Sequence, residues 1–317
     1  MFQRIRLAPI SLTAVLLMFL ALPVAAQVMT VHTTLKNDVS RPLSEMVADA
    51  QRAPDTDIEK EAEPLRLVPK AMGPTTATAA DPVVQSSAYQ PPAALAPTLG
   101  LAFDGLGNNS LGFTVNAAPP DTNGAVGLTQ YVEWVNSSFA IFNKSNGALI
   151  LGPVLGNALW QGFGNGCEFN NNGDPIVTYD RIANRWVFSQ FSVSGGPPFL
   201  QCIAVSTTSD ATGSYFRYAA AYSSFDDYPK MGVWPDAYYE TFNLFNGNAF
   251  AGGQVCAYDR AAMLSGAAAT QICFVINNDG AFLPSDFDGT TLPPRGSPNY
   301  VISIFDNNNA ELRRFHV

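Results

Sequence analysis

Asp121-Thr-Asn-Gly-Ala-Val-Gly-Leu-Thr-Gln-Tyr-Val-Glu-Trp134 is followed 53 residues on by Asp174-Pro-Ile-Val-Thr-Tyr179 with Arg185-Trp186. After another 53 residues comes Asp227-Tyr-Pro-Lys-Met-Gly-Val-Trp234 with Tyr238-Tyr239. Each stretch opens on an aspartate and runs into short apolar, aromatic-rich segments separated by turn residues. A period of about 50 residues holding about four short strands is the signature of β-propeller blades set around an axis. Cys202 and Cys256 stand 28 and 29 residues after their aspartates, so the third strand of the unit aligns as well as the first.

Strand-like runs of the first unit fall at 125–127, 131–136, 139–143 and 148–151, with Lys144-Ser-Asn-Gly147 as the hairpin turn joining the last two. The second unit gives 175–179, 185–191, 201–206 and 215–221. The third gives 230–234, 238–245, 254–258 and 271–276, with a short helix capped by Asp259 inserted in its final hairpin. A fourth unit starts near 283, includes 299–305 and 311–317, and stops within a blade. Propellers close with about four to eight blades, because an open one leaves strand edges exposed. Either the natural chain continues past Val317, or residues 99–104 supply a strand that closes a four-bladed ring; propeller size favours the first. The expected fold is therefore all-β: an incomplete β-propeller of about 53-residue, four-stranded blades over residues 98–317, three blades and part of a fourth.

Ahead of it, residues 1–26 read as a signal peptide: Arg4 and Arg6, an apolar run from Ile10 to Leu22, then the small residues of Val24-Ala25-Ala26. Residues 27–97 are rich in Ala, Pro and Thr and almost free of aromatics. They read as a disordered tail or propeptide with one short helix around 43–52, because such a composition buries too little apolar surface to offset ordering entropy. No later stretch has the ~20 apolar residues of a membrane helix, so the mature protein is expected to be periplasmic or extracellular without a membrane span.

Cysteine usage agrees with export. Cys167, Cys202, Cys256 and Cys273 all follow the targeting segment, where an oxidising compartment pairs them. The sequence leaves the connectivity formally open; proximity favours Cys167–Cys202 and Cys256–Cys273. No Cys-x-x-Cys occurs, and His32 and His316 are the only histidines, which argues against a zinc site. The net charge of −9, with Arg313-Arg314 the only basic cluster, argues against nucleic-acid binding.

In the segments Pro120–Gly127, Tyr131–Asn136, Gly173–Asp180, Cys202–Ser206, Asp227–Asp236 and Cys256–Arg260, the chain resembles a group of uncharacterised secreted bacterial proteins with a sialidase-like β-propeller. The resemblance covers residues 98–317 and implies fold and export, but no activity. Thr208-Ser-Asp-Ala-Thr-Gly-Ser-Tyr215 also looks like a degenerate sialidase Asp-box, the Ser-x-Asp-x-Gly-x-Thr-Trp turn, with one residue inserted and Tyr in place of the last aromatic. That box is a structural turn, its Asp held by backbone N–H groups.

Candidate chemistry centres on the three repeat aspartates. Asp121, Asp174 and Asp227 open the innermost strands, where they either ring a central channel as ligand-binding oxygens or cap their own turns. The oxygen-rich loops Asn170-Asn-Asn-Gly173 and Asp286-Phe-Asp-Gly289 leave calcium open as a cofactor, though neither has helix-loop calcium spacing. Trp134, Trp186 and Trp234 lie in strand-like runs and read as core between blades, whereas Trp160, in a loop, is the candidate platform for stacking a sugar. Sialidase chemistry needs arginines gripping a carboxylate, a Tyr/Glu nucleophile pair and an acid. Arg181, Arg185, Arg217 and Arg260 with Glu133 and Glu240 are the available groups, but no arginine opens a first strand, and Arg185 and Arg260 read as surface residues. No histidine-assisted nucleophile motif or phosphate-binding glycine loop is present. The expected function is a binding or surface-interaction module for extracellular glycans or polymers. The alternatives are a sialidase-like glycoside hydrolase and a structural segment of a larger surface protein.

Overall fold

The computed structural model describes residues 28–50, 100–114, 119–277, 279–304 and 310–315; the targeting sequence 1–26 and residues 51–97 of the expected tail lie outside the described residues. The chain is mostly β, and its strands form several antiparallel sheets. The N-terminal part supplies β1 (Val28–Thr33), β2 (Lys36–Val39) and α1 (Leu43–Ala50). The first sheet is the meander β3 (Asn123–Val126), β4 (Gln130–Val135), β5 (Ser138–Asn143) and β6 (Leu149–Leu155). After α2 (Gly166–Phe169), the second sheet contains β7 (Ile176–Asp180), β8 (Arg185–Ser192), β9 (Phe199–Ser206) and β10 (Tyr215–Tyr222).

The third sheet contains β11 (Phe225–Val233), β12 (Ala237–Asn246), β13 (Ala249–Asp259) and β14 (Thr270–Ile276). Between its last two strands sits α3 (Arg260–Ser265), capped by Asp259, whose side chain accepts from Ala262 N at 2.9 Å. A three-stranded sheet of β15 (Leu283–Pro284), β16 (Asn299–Ile304) and β17 (Ala310–Phe315) follows. The predicted strands thus occur among the described residues, with β11 and β13 each beginning five residues ahead of the expected start. Residues 100–104, the candidate closing strand, form no strand; Phe103 instead packs on Tyr131 and Phe142 of the first sheet. No closed ring of sheets is formed among the described residues.

The first strands of successive sheets are neighbours: β3 lies by β7, β7 by β11 and β11 by β15. A separate core fills each seam. Trp134, Phe139, Trp186, Phe188 and Tyr215 pack between the first and second sheets. Tyr218, Tyr222, Phe242, Tyr258 and Met263 pack between the second and third, and Val255, Phe282 and Val301 between the third and fourth. The second sheet is covered on both faces, which is why β8 and β9 are buried almost throughout and read as continuous apolar runs. Close approach is permitted by glycine where the seams are tightest. A Cβ at Gly127 would stand 2.5 Å from the Trp186 ring, and one at Gly232 would stand 2.4 Å from the Ser285 carbonyl.

The expectation of a disordered tail over 27–97 is corrected for its described part. β1 pairs antiparallel with β14 and β2 with β10, so each becomes the outermost, fifth strand of a sheet. Asp38 of β2 holds Arg217 through two hydrogen bonds of 2.8 and 2.7 Å, and Arg217 also donates to the Leu159 and Gln161 carbonyls. Leu43 and Met46 of α1 are fully buried against Leu159, Trp160 and Phe163. The segment needs no core of its own, because it fills the open edges of two sheets made by distant sequence; composition counts only what a segment can bury against itself.

Both expected disulfides are present. Cys167 of α2 bonds Cys202 of β9, and Cys256 bonds Cys273, its directly opposite residue across β13 and β14. They fit an oxidising, extracellular-type environment. Among the described residues no helix is long and apolar enough to cross a membrane.

Candidate functional site

One backbone conformation recurs with the first strand of each sheet, just before β3, β7 and β15 and at the pairing irregularity within β11. Asp121 (φ 41°), Asp174 (φ 43°), Tyr228 (φ 55°) and Ala281 (φ 54°) all adopt the left-handed region, at intervals of 53, 54 and 53 residues. Asp is tolerated there better than most side chains, which accounts for its recurrence at the first two positions. In the third sheet the left-handed residue is Tyr228, so Asp227 stands one place before its apparent equivalents; its carboxylate accepts from Tyr228 N at 2.9 Å. In the fourth the position is Ala281, whose N–H donates to Asn243 Oδ1 at 2.7 Å.

The charges of all three repeat aspartates act on Lys230 of β11. Its ammonium donates to the Pro229 carbonyl at 2.8 Å and lies 3.6 Å from the centroid of the Tyr228 ring. Burial is the largest influence on Lys230 and lowers its pKa, opposed by the charges of Asp174, Asp121, Asp227 and Glu240. Reciprocally, burial raises the pKa of Asp121 while Lys230 pulls it down. Carboxylates from three sheets therefore act electrostatically on one ammonium. Asp226, fully buried beside them, has its pKa pushed well up, first by burial and then by the charges of Glu240, Asp227 and Asp174. Neither of its carboxylate oxygens has a hydrogen-bond partner among the described residues. Such a face offers acceptors to hydroxyl or ammonium groups and repels anions. No group of three or more acidic, His or Cys side chains in metal-holding geometry occurs among the described residues.

Behind this face, the fully buried Glu240 receives Ser189 Oγ (2.7 Å) and Gln201 Nε2 (2.8 Å) on Oε1 and Tyr258 OH (3.0 Å) on Oε2. Burial, only partly offset by these donors and by Lys230, pushes its pKa up to about 7. Further along the same seam, Asp180 binds Arg260 through two hydrogen bonds of 2.7 and 3.0 Å and accepts from Tyr238 OH at 2.8 Å.

Several sequence-based placements change. Trp160, the expected exposed platform, is fully buried, because α1 from the N-terminal segment covers the 3-10 turn Gly156–Trp160 that carries it. Arg260, expected at the surface, is buried in its pair with Asp180, and Arg217 is committed to Asp38. Arg181 donates to the Asp288 carbonyl, and Arg185 to those of Ala183 and Asn184. The candidate arginines are thus spread over separate structural contacts. Glu133 accepts from Leu106 N at 2.6 Å and anchors the 100–114 segment to β4. Trp134 and Trp186 are core residues, as expected, and Trp234 is partly buried with its indole N–H on the Ser297 carbonyl at 2.9 Å.

The Asp-box-like turn joins β9 to β10. Asp210 Oδ1 accepts from Thr212 N (2.9 Å), as an Asx turn does, and from Gln130 Nε2 (2.8 Å), which ties the turn to the first sheet. Sequence reading missed Lys230 and Asp226. Their only signal was the charged run Asp226-Asp-Tyr-Pro-Lys230, beside a repeat aspartate.

No protein-family model matches the chain, and no curated protein matches it.

Proposed function

We propose that the protein is an exported binding module that recognises hydroxyl-rich extracellular glycans or polymers. Its four sheets are the blades of an incomplete, sialidase-like β-propeller, and the ligand meets the face on which the sheets begin. The observation that carries this reading is that the first strands of three successive sheets, with Asp121, Asp174 and Asp227 at their starts, stand side by side, so that all three carboxylates act on the ammonium of Lys230. Carboxylates paired with one cation accept and donate hydrogen bonds to sugar hydroxyls without demanding a charged ligand. The side-by-side first strands and the four left-handed positions that recur with them support the blade arrangement, and the two disulfides support export.

The sialidase-like alternative is less well supported, because Arg217 and Arg260 are held in buried ion pairs rather than aimed at a common point. A purely structural role within a larger surface protein is the third reading. Sedimentation with insoluble chitin, cellulose and bacterial exopolysaccharide tests the proposal. The wild-type chain should co-sediment with at least one of them, and Asp121→Asn/Asp174→Asn should weaken retention at least about fivefold. Equal retention of variant and wild type, or none by either, would overturn it.

A further inference from the structure

We infer that the cleft at the far end of the first strands from Asp121 and Asp174 binds an aliphatic carboxylate, as a second site independent of the polymer-binding reading. Three sheets build it. Val126 and Leu128 come from the end of β3 and the turn after it, and Lys144 from the turn after β5. Arg181 and Ile182 come from the turn after β7, and Leu292 from the loop after β15. The cleft encloses about 580 Å³, within the roughly 300–1,000 Å³ of ligand clefts. Val126, Leu128 and Leu292 are 54, 60 and 53% exposed, so three large aliphatic side chains stand open on one cleft. Apolar residues scattered singly over a surface are ordinary, whereas their convergence marks an interaction site.

Charge is what commits the cleft to an anion. Lys144 and Arg181 line it and no Asp or Glu does, in a chain with 26 acidic against 17 basic residues. Neither cation has a carboxylate partner among the described residues. Each is held to the cleft wall by a backbone carbonyl instead: Lys144 Nζ donates to that of Gly127 at 3.0 Å, and Arg181 to that of Asp288. A carbonyl positions an ammonium or a guanidinium without neutralising it, and both heads keep further N–H groups to give. The flanking carboxylates are engaged elsewhere. Asp286 accepts from Val233 N at 2.7 Å and is hydrogen-bonded to Asp288, and Asp180 is held by Arg260. An aliphatic wall beside two anchored cations suits an anionic head on an apolar chain. A neutral sugar would leave both charges unanswered, and a small inorganic anion would leave the aliphatic wall in water.

The test is calorimetric titration of the full chain with decanoate, set beside decanol, acetate and phosphatidylglycerol vesicles. Decanoate should bind, and Lys144→Gln and Arg181→Gln should each weaken it at least about fivefold. Leu128→Ser should weaken it at least about threefold through lost apolar contact. All three side chains are exposed, so thermal unfolding should be unchanged. Added salt should weaken decanoate and leave decanol as it is, because the two cations are open to solvent. Absence of decanoate binding, or unchanged binding by both charge variants, overturns the site. Decanol that binds as tightly as decanoate overturns recognition of the anionic head, and acetate that does so overturns recognition of the chain. Vesicle binding that both charge variants abolish, without binding of free decanoate, overturns the proposal in favour of a lipid surface. Retention on polymers bears on the aspartate face alone, so either reading can fail without the other.

Discussion

The hydroxyls of Tyr222 and Tyr258 lie 2.7 Å apart and join Glu240 to Gln271 in one buried line, since Tyr258 OH also reaches Glu240 Oε2 (3.0 Å) and Tyr222 OH reaches Gln271 Oε1 (3.1 Å). Each phenol has one hydrogen to give. With Glu240 ionised, Tyr258 donates to it and Tyr222 donates to Tyr258, leaving Gln271 Oε1 without a donor from this line. With Glu240 protonated on Oε2, every bond reverses and Tyr222 donates to Gln271. The protonation state of one carboxyl thus sets the direction of hydrogen bonding across the seam and up to Gln271, whose cross-strand neighbour is His32.

A pH dependence of stability follows. The Glu240 pKa is pushed up from 4.5 to about 7, so the native chain holds a proton that the unfolded chain has released between those values. Stability contributed here is full below about 4.5 and declines as pH rises to about 7, by about 3 kcal/mol in all. Asp226, raised by burial in the same seam, acts in the same direction. Lys230, lowered by burial, acts in the opposite sense below its usual 10.5. Urea unfolding at pH 5 and pH 8 should show a smaller difference for Glu240→Gln than for wild type, by about 2–3 kcal/mol. Identical differences would refute titration of Glu240 in this range.

The N-terminal segment should contribute to stability rather than trail from it. Leu43→Ala removes a fully buried side chain from the cover over Trp160 and should cost about 3 kcal/mol by thermal or denaturant unfolding. A loss under about 0.5 kcal/mol, the range of an ordinary surface substitution, would mean that α1 does not dock.

The two bridges close loops of different length, with sequence separations of 17 for Cys256–Cys273 and 35 for Cys167–Cys202. Chain-entropy arguments give losses of about 3 and about 4 kcal/mol when each is replaced by an alanine pair. Non-reducing peptide mapping should recover both pairs, and free thiols in exported material would contradict them.

Ala281 is exposed and held at φ 54°, where its Cβ is unfavourable. Ala281→Gly should raise stability by about 0.5–1 kcal/mol, strain relief exceeding the added freedom of the unfolded chain. A destabilised variant would show that this backbone is not strained in solution.

How much of this was legible depended on the reach of each interaction. The strands of the three complete units, the Asp259-capped helix and both disulfides were readable because turn residues, apolar runs and nearby cysteines record local events. Tyr228 hid the true register of the third unit, since what repeats is a dihedral angle and only two of its four carriers are Asp. Trp160 looked exposed because its cover comes from α1, more than a hundred residues earlier in the chain. Arg260 looked like a surface residue because its partner, Asp180, belongs to another sheet. The carboxylates that act on Lys230 were visible as single positions, but their common influence on it exists only once three sheets stand side by side.

The pairing of β1 with β14 also sets an order of events. The first of these strands to be synthesised finds its place only after three sheets' worth of later chain has emerged and folded. Until then β14, and likewise β10 awaiting β2, presents an unpaired edge able to recruit a strand from another molecule. Closing so large a loop is slow relative to forming a meander from consecutive strands. The earliest strands of the described chain thus wait on later ones for their partners, and a chain deprived of them would keep two open edges for life.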